Sequence, residues 1–283
     1  MTFEAEQLGR ASEELAATLK GLRKAAGLSG ERLARRMNVS QSKVSRIENA
    51  RVRPSIVDVE RYLRGVGAPP EAVERVMSLA RIANTEWRNL RNLRRTGLGS
   101  RQAELKALEA SSGHMRYFLL SLITGLLATP EYVRASLAHS PADTSKAVAG
   151  KLERQQILYD TSKRFTFILT EQAVRFPLIG AHAMAVQVDR LISLTHLPNV
   201  RLGVIPVGMR TPGLPLNTFT IYDGRMVTAE LTTGSMAFRD AQDIRAYIDE
   251  FAGYEERALF GEAAREMLRV WAAAFRDDIQ STT

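Results

Sequence analysis

The chain has 283 residues, 45% apolar and 25% charged, which excludes a disordered or fibrous chain and allows one large domain or two ordinary ones. Cysteine is absent, which excludes disulfides, thiolate metal sites and cysteine nucleophiles and fits a reducing compartment. The net charge is +8, and residues 1–100 carry all of it, with 19 Lys and Arg against 11 Asp and Glu. A basic module joined to a neutral one suggests a polyanion-binding head and a body with another task; a merely solvated basic face is the alternative. The longest apolar run, around Phe118–Ala128, is interrupted by Ser121, Thr124 and Gly125 and falls short of a membrane span. With acids in place of a secretory leader at the start, the expectation is a cytoplasmic protein with no membrane contact.

In chain order, residues 6–26 carry Leu8, Leu15, Leu19 and Leu22 at helical spacing, and Gly27 stops the pattern. Ser29 offers a cap to a short second helix with Leu33, Ala34 and Met37 on its apolar side. Asn38 suits a left-handed turn, Ser40 is the next cap, and Val44 and Ile47 mark the inward face of a third helix. Pro54 is placed as the first residue of a fourth helix carrying Ile56, Val59, Tyr62 and Leu63. After a break at Ala68-Pro69-Pro70, a long helix is predicted through Val73, Val76, Leu79 and Ile82 to about Leu93. Thr96–Ser100, with two glycines, is the hinge candidate.

Beyond it, helices are predicted over Gln102–Ser111, Tyr117–Leu127, Pro130–Leu137, Lys146–Asp160 and Ala181–Thr195. Strands are predicted over 165–170, Val200–Ile205, Thr218–Tyr222 and Val227–Leu231, with Asp223-Gly224 as a hairpin signal. Residues 243 to about 276 return to helix, with a candidate break at Gly261. The organisation is therefore an all-α head over 1–83, a helical linker over 84–104 and an α+β body over 105–283, mainly helical in total.

The informative segment is Gly30–Asn49, GERLARRMNVSQSKVSRIEN. Two short helices joined by a tight turn bury few side chains, so the required pattern is narrow. Leu33 and a small Ala34 sit on the first helix, Asn38 takes the left-handed turn, Val39 is the plug, and Val44 and Ile47 belong to the second helix. That is the helix-turn-helix arrangement, whose second helix is presented to the major groove of DNA. An ordinary helical hairpin is the competing reading. With Val44 and Ile47 inward, the base-reading face is Gln41, Ser42, Lys43, Ser45 and Arg46, whose donors and acceptors match base edges. Ser29 and Gly30, at a helix start with free N–H groups, together with Asn49, Arg51 and Arg53, are assigned to phosphates. Arg35, Arg36 and Arg46 have a local alternative, pairing with Glu31 or Glu48.

The run LRKAAGLSGERLARRMNVSQSKVSRIENARVRPS resembles the lambda-repressor/Cro-like helix-turn-helix domain, the XRE family, over about residues 12–80. The resemblance extends to Glu48 and to the Arg-x-Arg-Pro-Ser after it. Where that family usually has Gly after Glu-Asn, this chain has Ala50; if the site is left-handed, Ala costs about 1 kcal/mol. The resemblance implies a DNA-binding transcriptional regulator. Such domains usually read two half-sites as a homodimer, so pairing must come from elsewhere in the chain. The basic stretch Trp87–Arg101, with five Arg, either grazes DNA or is a wetted linker face.

Residues beyond about 105 resemble, more loosely, an uncharacterised C-terminal domain fused to such heads in bacterial regulators. The matching pieces are LITGLLATPEYVRA, LERQQIL, FTFILTEQAVR and NVRLGVIP, with Thr124 and Ala128 where that family has Pro and Gln. This resemblance implies a body that receives a signal or a small acidic partner protein. The alternative is an antitoxin-like partner-binding protein whose DNA binding is autoregulatory. His114, His139, His182 and His196 have no metal-ligand spacing, and no nucleophile elbow, Walker loop or dinucleotide fingerprint is present. Glu171 and Arg175 read as an intrahelical pair, and Trp87 and Trp271 as packing anchors. The expectation is no catalytic site, no metal and no cofactor. Operator sequence and sign of regulation are not written in the chain.

Overall fold

The computed structural model describes residues 5–89, 98–140, 143–211, 213–231 and 234–282. Its contacts divide into two units, Met1–Arg88 with Met236–Ile244, and Asn89–Ser235 with Arg245–Thr283. Thr96 and Gly97 of the expected hinge lie outside the described residues, and Leu98–Ser100 already belong to a helix. Among the described residues, no helix is long and apolar enough to cross a membrane.

The first unit contains α1 (Ala5–Ala25), α2 (Gly30–Met37), α3 (Gln41–Glu48), α4 (Ile56–Val66) and α5 (Pro70–Asn84). Each presents an apolar stripe to one core: Leu15 and Leu19, then Leu33, Ala34 and Met37, then Val44 and Ile47, then Val59, Tyr62 and Leu63, then Val76 and Ala80. The crossing of α2 and α4 is close. A Cβ on Gly65 would lie 2.7 Å from Leu33 Cδ1, so only glycine fits there without displacing Leu33. Helix α4 begins two residues later than expected, at Ile56. Ser55 is its N-cap in a capping box with Asp58, which leaves Pro54 before the cap and outside the helix.

The expected helix to Leu93 also ends early, at Asn84, and β1 (Thr85–Asn89) replaces its last part. The apolar period stops at Ile82, and the β-branched and aromatic residues Thr85 and Trp87 then favour extended backbone. The remaining expectation, for Leu90–Leu93, falls outside the described residues.

The second unit starts with α6 (Leu98–Ala110), β2 (His114–Leu119), α7 (Pro130–Ser136), α8 (Ser145–Arg154) and a 3-10 turn over Gln155–Tyr159. It continues with β3 (Arg164–Thr170), α9 (Glu171–Arg175), α10 (Ala181–Leu194), β4 (Val200–Ile205), β5 (Phe219–Tyr222) and β6 (Met226–Leu231). Then follow β7 (Gly234–Phe238) and α11 (Ala241–Glu255), both straddling the division between the units, β8 (Leu259–Phe260) and α12 (Gly261–Thr282).

Strands β6, β5, β2, β3, β4 and β8 are successive neighbours in a mixed sheet. The centre is parallel, with Tyr117 beside Phe167 and Phe167 beside Leu202, while β5 and β8 run antiparallel to the strands they border. Asp223 and Gly224, both at positive φ, make the expected β5–β6 turn. Phe118 stacks on Tyr254 of α11 at 4.1 Å, and Tyr117, on the opposite face, stacks on Phe167 at 4.7 Å.

The helix expected over Tyr117–Leu127 is not formed; that run is the end of β2 and an irregular connection. A central strand covered on both faces has a continuous apolar sequence, which periodicity cannot tell from a buried helix. The connection is held by side chains from the segments that follow. Gln155 Nε2 donates to the carbonyls of Gly125 and Ala128, both at 2.8 Å. Gln187 donates to Leu127 O and accepts from Thr129 N, and Arg190 bridges Leu127 O and Gln155 Oε1.

Candidate nucleic-acid interface

The turn between α2 and α3 follows from two residues. Asn38 sits at φ 55 and ψ 49, the left-handed conformation that an Asn tolerates, and half-buried Val39 packs against the core. Ser29 caps α2 by accepting from Arg32 N, and Ser40 caps α3 by accepting from Lys43 N, both at 3.2 Å. Val44 and Ile47 are each 1% exposed, so α3 has one fixed inward side.

The outward side carries most of the expected base readers. Gln41, Ser42 and Arg46 are exposed, and Ser45 is half-buried. Gln41 reaches back toward the start of α2, its Nε2 3.8 Å from where a Cβ of Gly30 would stand. The Gln41 side chain and the free amides of the α2 N-terminus thus share one surface. Ser42 and Ser40 hydroxyls are 3.1 Å apart, and Arg46 Nε lies 3.4 Å from the Ser42 carbonyl.

Lys43 is differently placed. Its Nζ is 2.7 Å from Asp58 Oδ1, in the capping box of α4. Burial opposes ionisation of Asp58, but the bonds from Lys43 and Ser55 outweigh it and hold its carboxyl below the ordinary value. A base can engage Lys43 only in competition with this pair.

Of the expected phosphate contacts, Ser29 and Arg51 are exposed, and Gly30 and Arg53 are half-exposed. Asn49 is exposed, but its amide donates to the Ser45 carbonyl at 2.8 Å. Ala50 sits at φ 53, so the left-handed site exists and alanine bears its strain. The local alternatives divide. Arg35 pairs with Glu31 at 2.7 Å, and Arg36 donates to the Gly65 carbonyl at 2.8 Å.

Glu48 takes none of Arg35, Arg36 and Arg46 as a partner but turns into the core. Arg23 of α1 grips it with Nε to Oε1 at 2.6 Å and Nη2 to Oε2 at 2.7 Å. The Tyr62 hydroxyl of α4 lies 2.7 Å from Glu48 Oε1 and 3.0 Å from Leu19 O. Burial raises the Glu48 carboxyl, yet the bonds from Arg23 and Tyr62 prevail and lower it. Tyr62 is pushed well above its ordinary value by burial and by Glu48. Arg23, Tyr62 and Asp58 orient α3 and were missed in the sequence. A buried tyrosine needs a partner for its hydroxyl, and that need was the signal available for Tyr62.

Two protein-family models match the chain. Residues 14–76 match the helix-turn-helix domain family, and residues 102–270 match a domain of unknown function, DUF5753. No curated protein matches the chain. Among solved structures, an archaeal chromatin protein, TrmBL2, described as showing a novel mode of DNA binding, aligns at 11% identity and TM-score 0.33. The alignment covers 71% of this chain and 65% of that one, so the chain spans about two thirds of its length. A phospholipase D family member, Nuc from Salmonella typhimurium, aligns at 10% identity and TM-score 0.32, over 57% of this chain and 90% of that one. Scores this low establish no shared fold. The chain belongs to the DUF5753 family, with a helix-turn-helix domain at its N-terminus followed by that domain of unknown function.

Proposed function

We propose that the protein is a sequence-specific, operator-binding transcriptional regulator and that the body receives a signal or a small partner protein. The observation that carries this reading is the two-sided character of α3: Val44, Ile47 and Glu48 are buried, while Gln41, Ser42 and Arg46 are exposed. A rod held from inside and polar outside is what major-groove reading requires. Base contacts fall to Gln41, Ser42, Ser45 and Arg46, with Lys43 joining them once released from Asp58. Phosphate contacts fall to Ser29, Gly30, Asn49, Arg51 and Arg53. One such head reads few base pairs, so the working form is a homodimer on two half-sites about one helical turn apart. Effector binding to the body then changes DNA affinity by favouring one arrangement of the two heads. The body works as a receiver and not as an enzyme.

The test is selection of binding sites from random duplexes by the full chain, followed by footprinting and sedimentation of the complex. The reading expects an enriched two-fold site occupied by two chains. Enrichment of no sequence, or an unchanged site preference in Arg46→Ala, overturns it.

A further inference from the structure

A second polar constellation lies on the sheet of the body. His114 and Arg116 alternate with buried residues along β2 and face the same side as Phe118. In the parallel register Arg116 stands beside Thr166, and Thr166 beside Arg201; one row earlier, His114 stands beside Arg164. Neighbouring strands lie about 4.8 Å apart, so these side chains form a compact strip across three strands. His114 Nε2 is 3.3 Å from Thr166 Oγ1, which shows that the two rows meet.

The strip gathers more positive charge than it neutralises. Glu255, at the end of α11, is committed to Arg201, whose guanidinium also lies 3.9 Å over the Phe260 ring. Asp223 is committed to Arg225 and to the amides of Gly113 and His114. Arg116 Nε is buried with no hydrogen-bond partner, and its guanidinium carbon is 5.9 Å from the Phe251 ring centroid. Burial, and then Arg116 and Arg164, hold the His114 imidazole below its ordinary value. A buried donor without an acceptor is costly, and crowding cations around it adds to the cost unless an anion completes the site. Arg164 and Arg201 are exposed, so the strip opens to solvent.

We propose that Arg116, Arg164, Thr166 and His114 form a binding site for a small phosphate-class oxyanion. A tetrahedral anion offers acceptor oxygens to donors converging from two rows, which a planar carboxylate satisfies less completely. The proposal gives a ligand class to the body's role as a receiver and rests on that role only for its regulatory meaning. Binding is measured without DNA, so failure of this site and failure of the operator reading are separable.

The experiment is a thermal-shift and calorimetric titration of the full chain with inorganic phosphate and pyrophosphate, with acetate as control. The expected result is a saturable shift with both phosphates and none with acetate. Arg164→Ala, an exposed position, should weaken binding about tenfold, the loss of one charge-assisted contact. Arg116→Met should abolish the shift while the unliganded protein stays folded, since a half-buried guanidinium whose Nε has no acceptor is replaced by an apolar chain. If Arg116→Met does not fold, Arg164→Ala decides alone. Absence of a saturable shift, full retention of binding in Arg164→Ala, equal response to acetate, or a response only to duplex DNA overturns the proposal.

Discussion

Among the described residues, both units bury a carboxylate–guanidinium pair, and the two pairs do different work. In the head, Glu48 of α3 is gripped by Arg23 of α1, 25 residues away, and touched by Tyr62. In the body, Arg154 at the end of α8 meets Glu109 of α6, 45 residues away; both are sealed from water, with Gln102 accepting a further bond at 2.7 Å and the Tyr117 hydroxyl 3.4 Å from Glu109. The head's pair keeps some solvent on Arg23, at 14% exposure, while Arg154 and Glu109 are 7% and 1% exposed. One pair fixes α3 against α1 and α4, and the other joins α6 to α8. Loss of the first should damage function before fold; loss of the second should damage fold before anything else.

The largest effect that would separate them is Glu109→Ala. It leaves Arg154 buried without its counter-charge, and about 3–5 kcal/mol of body stability should go. Two-step thermal unfolding, with the body now melting first, checks this. An unchanged body transition would mean that the pair is dispensable.

Glu48→Ala should cost less, about 2 kcal/mol, because Arg23 can recover some water, yet it should lose specific DNA binding as α3 comes free. The same pair gives the head an acid limit. The Glu48 carboxyl is lower folded than unfolded, so its contribution is complete above its ordinary value and disappears as pH falls through the folded one. Asp58 follows the same sign. Chemical denaturation at a series of acidic pH values should therefore show stability falling with pH in wild type and a weaker slope in Glu48→Ala.

Arg46→Ala tests recognition without touching the pair. It should cost about 1–3 kcal/mol at one operator position and leave unfolding unchanged, as read by binding to single-base operator variants. The smallest effect is a gain. Ala50 bears a left-handed conformation at φ 53, and Ala50→Gly should stabilise the head by about 1 kcal/mol, measurable as a higher denaturant midpoint.

The two units also differ in how far local pattern carries. In the head, caps at Ser29 and Ser40, the turn at Asn38 and the inward Val44 and Ile47 were all legible, because each decides its own few residues. Pro54 misled, since a serine that can share a capping box with Asp58 outcompetes a proline as the helix start. In the body the hairpin at Asp223-Gly224, strands β3 to β6 and the Arg175–Glu171 pair at 2.7 Å were legible for the same reason. Strand β2 was not, because its buried end, Tyr117–Leu119, runs into a connection as apolar as itself, which periodicity reads as a buried helix.

Composition, charge distribution and the spacing of a few small and apolar residues were enough to determine a basic helix-turn-helix head and a mixed body, since short-range geometry fixes both. Which partners hold the polar residues was left to tertiary structure. Arg23 and Tyr62 reach Glu48, Asp58 reaches Lys43, and two strands bring Arg116, Arg164 and His114 onto one face, because ion pairs and parallel strands join residues that no local period relates.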